Sequence, residues 1–570
     1  MQIELTLSHL TAISLLTFSL LILIPLCIAI YNAAIAPSKV AHYPGPGLQH
    51  WFLGSFPTRH LLTGKTVQAM HEGIKVYGRV FGMVHVGRQP VVLVADYGAA
   101  SQVFLKESSR WPKSVSNIHL LRRFVGRGLL TEEGPVHRRQ RKVAFPAFTK
   151  EAVNAMAADM LEKCELLNQR LGKLVDDSPS GEATTNIVEG WNKMALDIIA
   201  RVGFGYDLNS LLDQGSILED AYDSIMKTMF TASLYASVRH RIGPRFEQLG
   251  RWARVPEQVE LDNAKAAIGR VSRELVERAK NQYANSKLRE KEGRGQDEGR
   301  REGNDLLSLM VKANMNAELK SHQRLSDEEL MAMVPTFLFA GHETSTASLA
   351  WASLALTQPG HGLQVQSRLR HELNSHPSNW RTSADDLDSI PYLDAVARET
   401  LRLHAPVRYL SRTAAQDEIL RLGRKVVMHG EEKTEVLVRK GVQVTFPLQY
   451  MNCDPEVWGE DGHEFRPERW LAEDHEHYSG SVAPTPEIKA VWSSLMTFGL
   501  GPNNCIGQRV AILELKMGLA AVLSEFEFLP LEQGPPPFDF LHGIVARPVV
   551  VGQEEKGIQV PIRIRRARVE

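Results

Sequence analysis

The stretch TFGLGPNNCIGQR, residues 497–509, decides the fold of this chain. It ends a glycine-rich loop and opens an apolar helix that continues through residues 510–514. Cys505 lies where the loop becomes helix. The first N–H groups of a helix are unpaired and the helix dipole is positive there, so we expect a lowered pKa for this thiol. The pattern predicts an anionic sulfur, which is a good ligand for iron.

The glycines of this loop predict a flat ligand beside the sulfur. Gly499, Gly501 and Gly507 remove side chains that would collide with a macrocycle, and Phe498 offers an apolar face that shields the sulfur. The alternative is that Cys505 is a small buried core residue beside a turn, as most unpaired cysteines are.

The order Phe498, Gly501, Cys505, Gly507 resembles the haem-binding loop of the cytochrome P450 family, and this pattern is highly specific. The family pattern normally has an arginine two residues before the cysteine, where this chain has Asn503. The substitution puts one contact to a haem propionate in doubt.

A second motif lies upstream, where Glu399 and Arg402 stand three residues apart on one face of a helix. By itself such a pair is typical of a surface ion pair worth ~0.3 to 0.5 kcal/mol. The segment FRPERW, residues 465–470, resembles the family segment whose arginine, here Arg469, completes a buried cluster behind the haem loop. The resemblance implies that these three residues are structural.

A third motif is the stretch FLFAGHETST, residues 337–346, within a helix whose start is predicted by a capping box of Ser326 and Glu329. Burying an acid and a hydroxyl within an apolar helix costs solvation free energy unless other groups bind them. The alternative is a polar spot that faces a neighbouring helix.

The hydroxyl of Thr344 can bond the carbonyl of Ala340, and together with Gly341 this permits a bend that admits water. The order Ala340, Gly341, Glu343, Thr344 resembles the oxygen-activation site of the same family, so the resemblance implies that Glu343 and Thr344 deliver protons. We interpret the adjacent His342 as a packing residue.

Two further sites follow from the resemblance. His137 and Arg141 lie four residues apart on one face of a basic helix, and they match positions that bind haem propionates. Arg412 matches another propionate-binding position, and arginine suits carboxylates because its guanidinium donates in a planar fork. The alternative for residues 138–142 is a solvated basic face, which could meet an acidic redox partner.

The sequence pattern of the rest of the chain predicts a mainly α protein with a minor β part. The family resemblance runs from Pro44 to the C-terminus and implies the cytochrome P450 fold. Two β-rich runs within residues 77–96, separated by residues 87–90, predict a hairpin. Mixed charge over residues 287–302 predicts a solvated loop, with a docking patch as the alternative. Helical periodicity covers 150–171, 191–202, 256–284, 325–356 and 507–523.

The N-terminus differs in composition from the rest of the chain. Residues 10–31 carry no formal charge and, as a helix, would span about 33 Å, enough to cross a bilayer core. A cleaved signal peptide is the alternative, but the leader lacks a basic start and Pro37 follows the candidate cleavage site. We therefore predict a membrane anchor over residues 1–36 and a catalytic domain over residues 37–570. The positive charges after the span predict a cytoplasmic catalytic domain on the endoplasmic reticulum membrane.

Composition excludes several classes of protein. The 570 residues carry 66 Lys and Arg against 66 Asp and Glu, so no net field favours nucleic acid. The four cysteines show no paired spacing, which argues against a disulfide framework or a structural zinc site.

The family resemblance implies a haem-thiolate monooxygenase that holds haem b through Cys505 and inserts one oxygen atom of O2 into a hydrophobic small molecule. The sequence has no dinucleotide-binding fingerprint, so electrons should come from a separate NADPH-dependent reductase, with a cytochrome b-type protein as an additional donor. Lipid or secondary-metabolite biosynthesis, such as that of terpenoids, and detoxification all fit. Two alternatives remain open, a reductase-independent isomerase or dehydratase and a non-catalytic haem sensor at the membrane.

Overall fold

The computed structural model describes residues 35–48, 55, 66–85, 89–230, 251–252, 254–291, 303–316, 319–377, 379–471, 495–542 and 545–568. The predicted membrane anchor lies almost wholly outside these residues. No helix within the described ranges combines the length and the apolar character that a bilayer crossing requires.

The chain divides into two compact units, residues 1–102 with 411–447, and residues 103–410 with 448–570. The first unit is rich in strands. Its helices and strands are Thr66–Tyr77 (α1), Val80–His85 (β1), Gln89–Val94 (β2), Tyr97–Ser101 (α2), Leu410–Thr413 (β4), Glu418–Met428 (β5), Glu431–Val438 (β6) and Gln443–Phe446 (β7), with β4 starting at the unit boundary.

The hairpin predicted over residues 77–96 is confirmed. Strands β1 and β2 pair antiparallel, with Val80 opposite Val94, and β2 pairs parallel with β7 in the order β1-β2-β7-β4. The turn is shorter than predicted, because Gln89 and Pro90 belong to β2 and Pro90 pairs with Val84. A proline is tolerated there because it lies near the start of β2, before the residues that pair with β7.

The second unit is mainly helical, as predicted. Its helices are Val115–Val125 (α3), Gly134–Ala144 (α4), Lys150–Asn154 (α5), Ala157–Asp176 (α6), Ile187–Phe204 (α7), Ile217–Phe230 (α8), Pro256–Lys291 (α9), Leu306–Asn314 (α10), Asp327–Leu356 (α11), His361–Ser375 (α12), Ala384–Asp388 (α13), Pro391–Leu403 (α14), Leu448–Met451 (α15), Pro455–Trp458 (α16) and Gln508–Leu523 (α17).

Small sheets flank these helices. Glu182–Asn186 (β3), Pro561–Arg566 (β11) and Phe526–Leu529 (β8) form one three-stranded antiparallel sheet. Phe538–His542 (β9) and Ala546–Val550 (β10) form a two-stranded one. The sequence prediction missed β3 because its residues EATTN are largely polar and half-exposed.

The long helix α11 packs along α7 at the centre of this unit, and both are lined by buried apolar side chains. The N–H of Trp191 on α7 donates to the hydroxyl of Ser353 on α11 at 2.9 Å, so this buried polar pair is satisfied. The predicted capping box is confirmed, since Ser326 accepts from the N–H of Glu329 and the Glu329 carboxylate accepts from the N–H of Ser326.

Two boundaries differ from the prediction. The helix predicted over residues 150–171 is two helices, because the chain turns at Ala155 and Met156. The charged run over residues 287–302 is not wholly a loop, since α9 extends to Lys291, and residues 292–302 lie outside the described ranges. Lys, Arg and Glu are good helix formers, so dense mixed charge does not by itself end a helix.

Candidate active site

The loop before α17 presents Cys505 at the start of that helix. The N–H of Cys505 donates to the carbonyl of Phe498 at 2.7 Å, and the N–H of Asn504 donates to the carbonyl of Gly501 at 3.0 Å. The side chain of Cys505 is exposed, whereas that of Cys164 is buried. Cys505 is therefore not a buried core cysteine.

Gly501 is required by the protein itself. Its φ is +68°, and a Cβ at this position would lie 2.0 Å from the carbonyl oxygen of Phe104. This contact is a sufficient reason for glycine at position 501, and the role of Gly501 toward a macrocycle stays a prediction. Gly507 differs, because its φ is −84° and the nearest side chain, Phe148, would lie 3.8 Å from a Cβ. The explanation of Gly507 by a macrocycle stays a prediction.

The electrostatics of the thiol also differ from the prediction. The surrounding protein desolvates a thiolate and raises the pKa of Cys505, although the N–H of Gly507 and the charge of Arg141 act to lower it. The expected lowering by the helix N-terminus is thus present but is outweighed by desolvation. A positively charged iron would add the missing stabilisation of the anion.

Arg141 joins helix α4 to the cysteine loop. Its Nη1 donates to the carbonyl of Asn504 at 2.7 Å, and its Nη2 donates to the side-chain Oδ1 of Asn504 at 2.5 Å. The side-chain Oδ1 of Asn503 is buried and has no hydrogen-bond partner in the described part of the chain. Arg141 thus holds the loop one residue from the sulfur, which the sequence did not predict, and its contact with a haem propionate stays a prediction.

The remaining predicted cofactor contacts lie on different elements. His137 is buried on α4, one turn before Arg141, and Phe498 is half-buried against the hydrophobic core. Arg412 lies on β4 in the first unit, where it is buried and its Nη1 donates to the carbonyl of Ser411 at 2.9 Å. The roles of His137, Phe498 and Arg412 toward haem stay predictions.

The cluster predicted around Glu399 is present and buried. Both carboxylate oxygens of Glu399 accept from Arg402, at 2.8 and 2.9 Å, and Nε of Arg469 donates to Oε1 at 2.9 Å. The indole N–H of Trp470 and the backbone N–H of Arg466 complete its coordination at 2.9 and 2.8 Å. Glu399 and Arg402 have no exposed side-chain surface, so they do not form a surface ion pair.

A chain of hydrogen bonds connects this cluster to the cysteine loop. Nη1 of Arg402 donates to the carbonyl of Asn452, whose side-chain amide donates to the carbonyl of Arg402 and to the hydroxyl of Thr497. Thr497 in turn donates to the carbonyl of Leu401 at 2.9 Å. Because Thr497 is the first residue of the quoted motif, the cluster fixes the base of the loop that carries Cys505.

Helix α11 carries the predicted oxygen-activation residues. The hydroxyl of Thr344 donates to the carbonyl of Ala340 at 2.7 Å, as predicted. Ala340 is exposed and Thr344 is half-buried, although most residues in the middle of this helix are buried. The helix is continuous through Gly341, and a Cβ there would lie 2.7 Å from Cδ1 of Ile199, so this glycine also allows close packing on α7. The bend at Gly341 stays a prediction.

Glu343 lies within a buried polar cluster. The hydroxyl of Tyr222 on α8 lies 3.1 Å from Oε1, and Nη2 of Arg547 on β10 lies 3.1 Å from Oε2. His342 is not only a packing residue, because its Nδ1 lies 3.0 Å from the Tyr222 hydroxyl and its Nε2 lies 3.1 Å from the carbonyl of Asn192. Burial lowers the pKa of His342 and raises that of Tyr222.

With an ionised Glu343 and a neutral His342, the hydrogen bonds of this cluster need one more proton than the three side chains supply. A carbonyl only accepts, so Nε2 of a neutral His342 carries the ring proton and Nδ1 can only accept from Tyr222. An ionised Glu343 also needs the single Tyr222 proton. One additional proton, shared by Glu343, Tyr222 and His342, satisfies every contact, so this geometry can hold an exchangeable proton beside Thr344.

The sequence analysis missed Tyr222, Asn452, Asn504 and Arg547. No local pattern could identify Tyr222 and Arg547, because they lie 121 and 204 residues from Glu343 and meet it only through tertiary packing. A buried acid needs a counter-charge or donors, so Glu343 did indicate that such partners exist.

Helices α11 and α17 pack against each other, and the hydroxyl of Ser345 donates to Oε2 of Glu514 at 2.7 Å. Ser345 directly follows Thr344 in the sequence, and Glu514 follows Cys505 by nine residues. Cys505 is an exposed thiol on a fixed loop, and Ala340 is an exposed small residue near the alcohol Thr344 on the adjoining helix. A cysteine thiolate is one of the ligands that hold haem iron, so these features fit the haem-thiolate class of oxidoreductases.

Comparison with known proteins agrees with this class. A family model described as Cytochrome P450 matches residues 44–552. Cytochrome P450 monooxygenase 205 of Postia placenta is 32% identical over 95% of this chain and 96% of its own length. Cytochrome P450 monooxygenase 128 of the same fungus is 33% identical over 93% of both chains, and monooxygenase claQ of Ampulloclitocybe clavipes is 30% identical over 92% of both. The chain therefore belongs to the cytochrome P450 family.

Membership of the family makes the protein a monooxygenase, an oxidoreductase that incorporates oxygen from O2. Its cofactor is haem b, and its electrons come from NAD(P)H through a redox partner. The cofactor supplies the oxidising chemistry, and the protein supplies binding, orientation and protons.

Proposed function

We propose that this protein hydroxylates or epoxidises a hydrophobic small molecule in lipid or secondary-metabolite biosynthesis or in detoxification. The observation that carries the proposal is the exposed thiol of Cys505 on a loop held by Arg141 and by the Glu399 cluster. Cys505 would ligate the haem iron, and Phe498, Gly501, Gly507, His137, Arg141 and Arg412 would contact the haem.

Thr344 and Glu343 have separate tasks in this proposal. Thr344, on the open face of α11, would position a proton at its hydroxyl. Glu343 would supply that proton from the cluster with Tyr222 and His342, while Arg547 holds one carboxylate oxygen. General acid catalysis by a positioned group typically contributes ~10² to 10⁴ in rate.

The apolar character of the substrate is supported by helix α3, which packs against α11. Phe124 is buried there, and Ile118 and Leu120 are half-buried. By resemblance to the family, Phe230 and Ile544 would also be apolar residues of the substrate pocket, but the side chain of Phe230 and all of Ile544 lie outside the described residues.

Helix α4 supports docking of a reductase. Arg138 and Lys142 are exposed one turn apart, on the side of the helix away from buried His137. Such a basic face suits an acidic redox partner, because complementary charge speeds association. We propose an NADPH-dependent reductase as this partner, with a cytochrome b-type protein as an additional donor.

Residues 1–36 would anchor the protein in the endoplasmic reticulum membrane as a single pass, with the catalytic domain on the cytoplasmic side. The support is the uncharged run over residues 10–31 and the basic residues that follow it. Fractionation of cells that express the full chain, followed by carbonate extraction, tests the anchor. Release of the protein by carbonate would contradict it.

The monooxygenase assignment is tested with the full-length protein in membranes. The reduced, carbon monoxide-treated protein should show the red-shifted Soret band of thiolate ligation, and Cys505→Ser should lose it. Oxygen uptake should then require both NADPH and the reductase in the presence of a panel of lipophilic compounds. Turnover without a reductase would favour an isomerase or dehydratase, and haem binding without any turnover would favour a sensor.

A further inference from the structure

Arg408 is a buried cation outside the residues assigned so far. It lies between α14 and β4, and only 6% of its surface is exposed. Its Nε and Nη2 atoms are buried, and neither makes a hydrogen bond to any residue of the described ranges. Burial lowers its pKa to about 10, so the guanidinium stays charged at neutral pH. A buried charge with unused donors is costly unless something binds it.

Aromatic rings surround this guanidinium without satisfying its donors. Its central carbon lies 5.2 Å from the ring centroid of Trp351 and 4.0 Å from that of Phe540. Cation–π contacts stabilise the charge, but the N–H groups lie in the guanidinium plane and still need acceptors. His404 stacks on Trp351 with 4.6 Å between the ring centroids. Burial lowers the pKa of His404 to about 3, so its imidazole is neutral and does not balance the charge of Arg408.

Two other buried guanidiniums in the same unit are paired with acids. Arg402 donates to both oxygens of Glu399, and Arg469 donates to Glu399 and to Asp461. Asp539 raises the pKa of Arg408 only through its charge. The Nε and Nη2 donors of Arg408 could therefore bind a carboxylate, and the described residues do not provide one.

The position of Arg408 connects it to the oxygen-activation residues. Trp351 follows Thr344 by seven residues on α11, so both lie on one face, about 10 Å apart along the helix axis. The indole N–H of Trp351 donates to the carbonyl of Ala546 at 3.1 Å, and the next residue, Arg547, pairs with Glu343. Arg408 therefore belongs to the same neighbourhood as Thr344.

We propose that Arg408 binds the carboxylate of the substrate, which is then a lipophilic organic acid. The inference rests on the proposed monooxygenase function and adds the substrate class to it. The guanidinium fork would donate two parallel N–H bonds to the carboxylate, while Trp351 and Phe540 would contact the adjoining hydrocarbon. A haem propionate is the other carboxylate that could occupy this site, so the experiment must separate the two.

The test uses the full-length haem protein and three acids, hexadecanoic, abietic and cinnamic acid, each paired with its methyl ester. Binding is measured by the shift of the Soret band and, independently of the haem spectrum, by the change in thermal unfolding temperature. The variants are Arg408→Gln, which removes the charge, and Arg408→Lys, which keeps it. Arg439→Gln, which alters an exposed arginine of the first unit, is the matched control.

We expect at least one acid to bind the wild type about tenfold or more tightly than its ester. Arg408→Gln should remove this preference with unchanged haem content, whereas Arg408→Lys should keep part of it and Arg439→Gln all of it. The carbon monoxide spectrum of the same samples reports whether the haem-thiolate site itself is intact. Equal binding of every acid and its ester to the wild type would overturn the proposal, and loss of haem from Arg408→Gln would assign the site to a propionate.

Discussion

At the scale of single residues, some contacts follow from the local sequence and others only from the tertiary structure. Thr344 behaves as its sequence predicts, because a mid-helix hydroxyl bonds the carbonyl four residues earlier. The neighbouring residue Glu343 has different surroundings, because it is buried against Tyr222 and Arg547. Adjacent residues of a helix point in directions about 100° apart, so the two groups of one motif have different environments.

The first residue-scale prediction concerns Thr344. Thr344→Ala removes the hydroxyl that positions the proton, so product formed per O2 consumed should fall about tenfold or more while haem content stays unchanged. Thr344→Ser keeps a hydroxyl and should retain most of the coupling. Oxygen uptake and product yield measured together provide the test, and unchanged coupling in Thr344→Ala would count against the role.

The second residue-scale prediction concerns Tyr222. Tyr222→Phe removes the hydroxyl shared by Glu343 and His342 and leaves buried polar atoms unsatisfied, so the free energy of unfolding should fall by about 1 to 3 kcal/mol. It should also change the pH profile of coupling, which a purely structural residue would not do. Tyr283→Phe, at a half-buried tyrosine on α9, serves as the control in urea unfolding and in the pH profile. An unaltered pH profile would remove Tyr222 from the proton path.

At the scale of elements, the helices form where periodicity predicts them. Contacts between elements give a further reason for two glycines of the sequence motifs, Gly341 and Gly501. Gly341 allows α11 to approach Ile199 on α7, and Gly501 allows the cysteine loop to approach the backbone of Phe104. Both glycines were first explained by a bend or by a cofactor. Close packing of two elements depends on both of them, so the sequence of one segment alone does not show it.

Two substitutions in the cysteine loop separate these explanations. Gly501→Ala should lower both thermal stability and haem content, because φ at this position is +68° and the new Cβ would meet a carbonyl oxygen. Gly507→Ala has an ordinary φ and open surroundings, so thermal stability of the haem-free protein should stay the same while haem content falls. Full haem retention by Gly507→Ala would show that no macrocycle requires this glycine.

At the scale of the whole molecule, buried charge links distant segments of the second unit. The cluster of Glu399, Arg402 and Arg469 joins α14 to the chain around residues 461–470, and Asn452 extends it to the cysteine loop. Such a network is costly to break and specific in geometry. It makes the position of Cys505 depend on Glu399 and Arg402, which lie more than 100 positions earlier in the chain.

Breaking the network should therefore affect the whole unit. Glu399→Ala or Arg402→Ala leaves an unpaired buried charge, so we expect a loss of about 3 to 5 kcal/mol in the free energy of unfolding and loss of haem incorporation. Glu328→Ala, at an exposed carboxylate of α11, is the control. Absorbance at the Soret band relative to protein concentration provides the measurement, and either cluster variant with full haem content would contradict the expectation.

A buried acid between α11 and α17 predicts the pH dependence of stability. Burial raises the pKa of Glu514 to about 8 in the folded protein, although the bond from Ser345 acts to lower it. The folded state then binds more protons than the unfolded state, so this group's contribution to stability falls as pH rises from the ordinary carboxyl range toward 8. Glu514→Gln should unfold with a smaller dependence on pH over this interval, whereas Glu328→Gln should follow the wild type. Identical slopes for Glu514→Gln and the wild type would contradict the prediction.

Local signals were sufficient for much of the site. The capping box predicted the start of α11, the two β-rich runs separated by a turn segment predicted the β1–β2 hairpin, and the spacing of Glu399 and Arg402 predicted their common face. In each case the interacting residues lie at most 14 positions apart in the chain. The partners of Glu343 could not be predicted in this way, because a buried acid indicates that donors exist but not which segment provides them.

The sequence by itself determined the class of protein, the cysteine at position 505, and the helix that carries Glu343 and Thr344, since these depend on short motifs and on periodicity. Only the tertiary structure decided that Asn504 accepts from Arg141, that Tyr222, His342 and Arg547 surround Glu343, and that Arg408 is buried with no acid bonded to it among the described residues. The physical reason is that charges and hydrogen bonds are satisfied in space, between segments whose distance along the chain sets no limit on their contact.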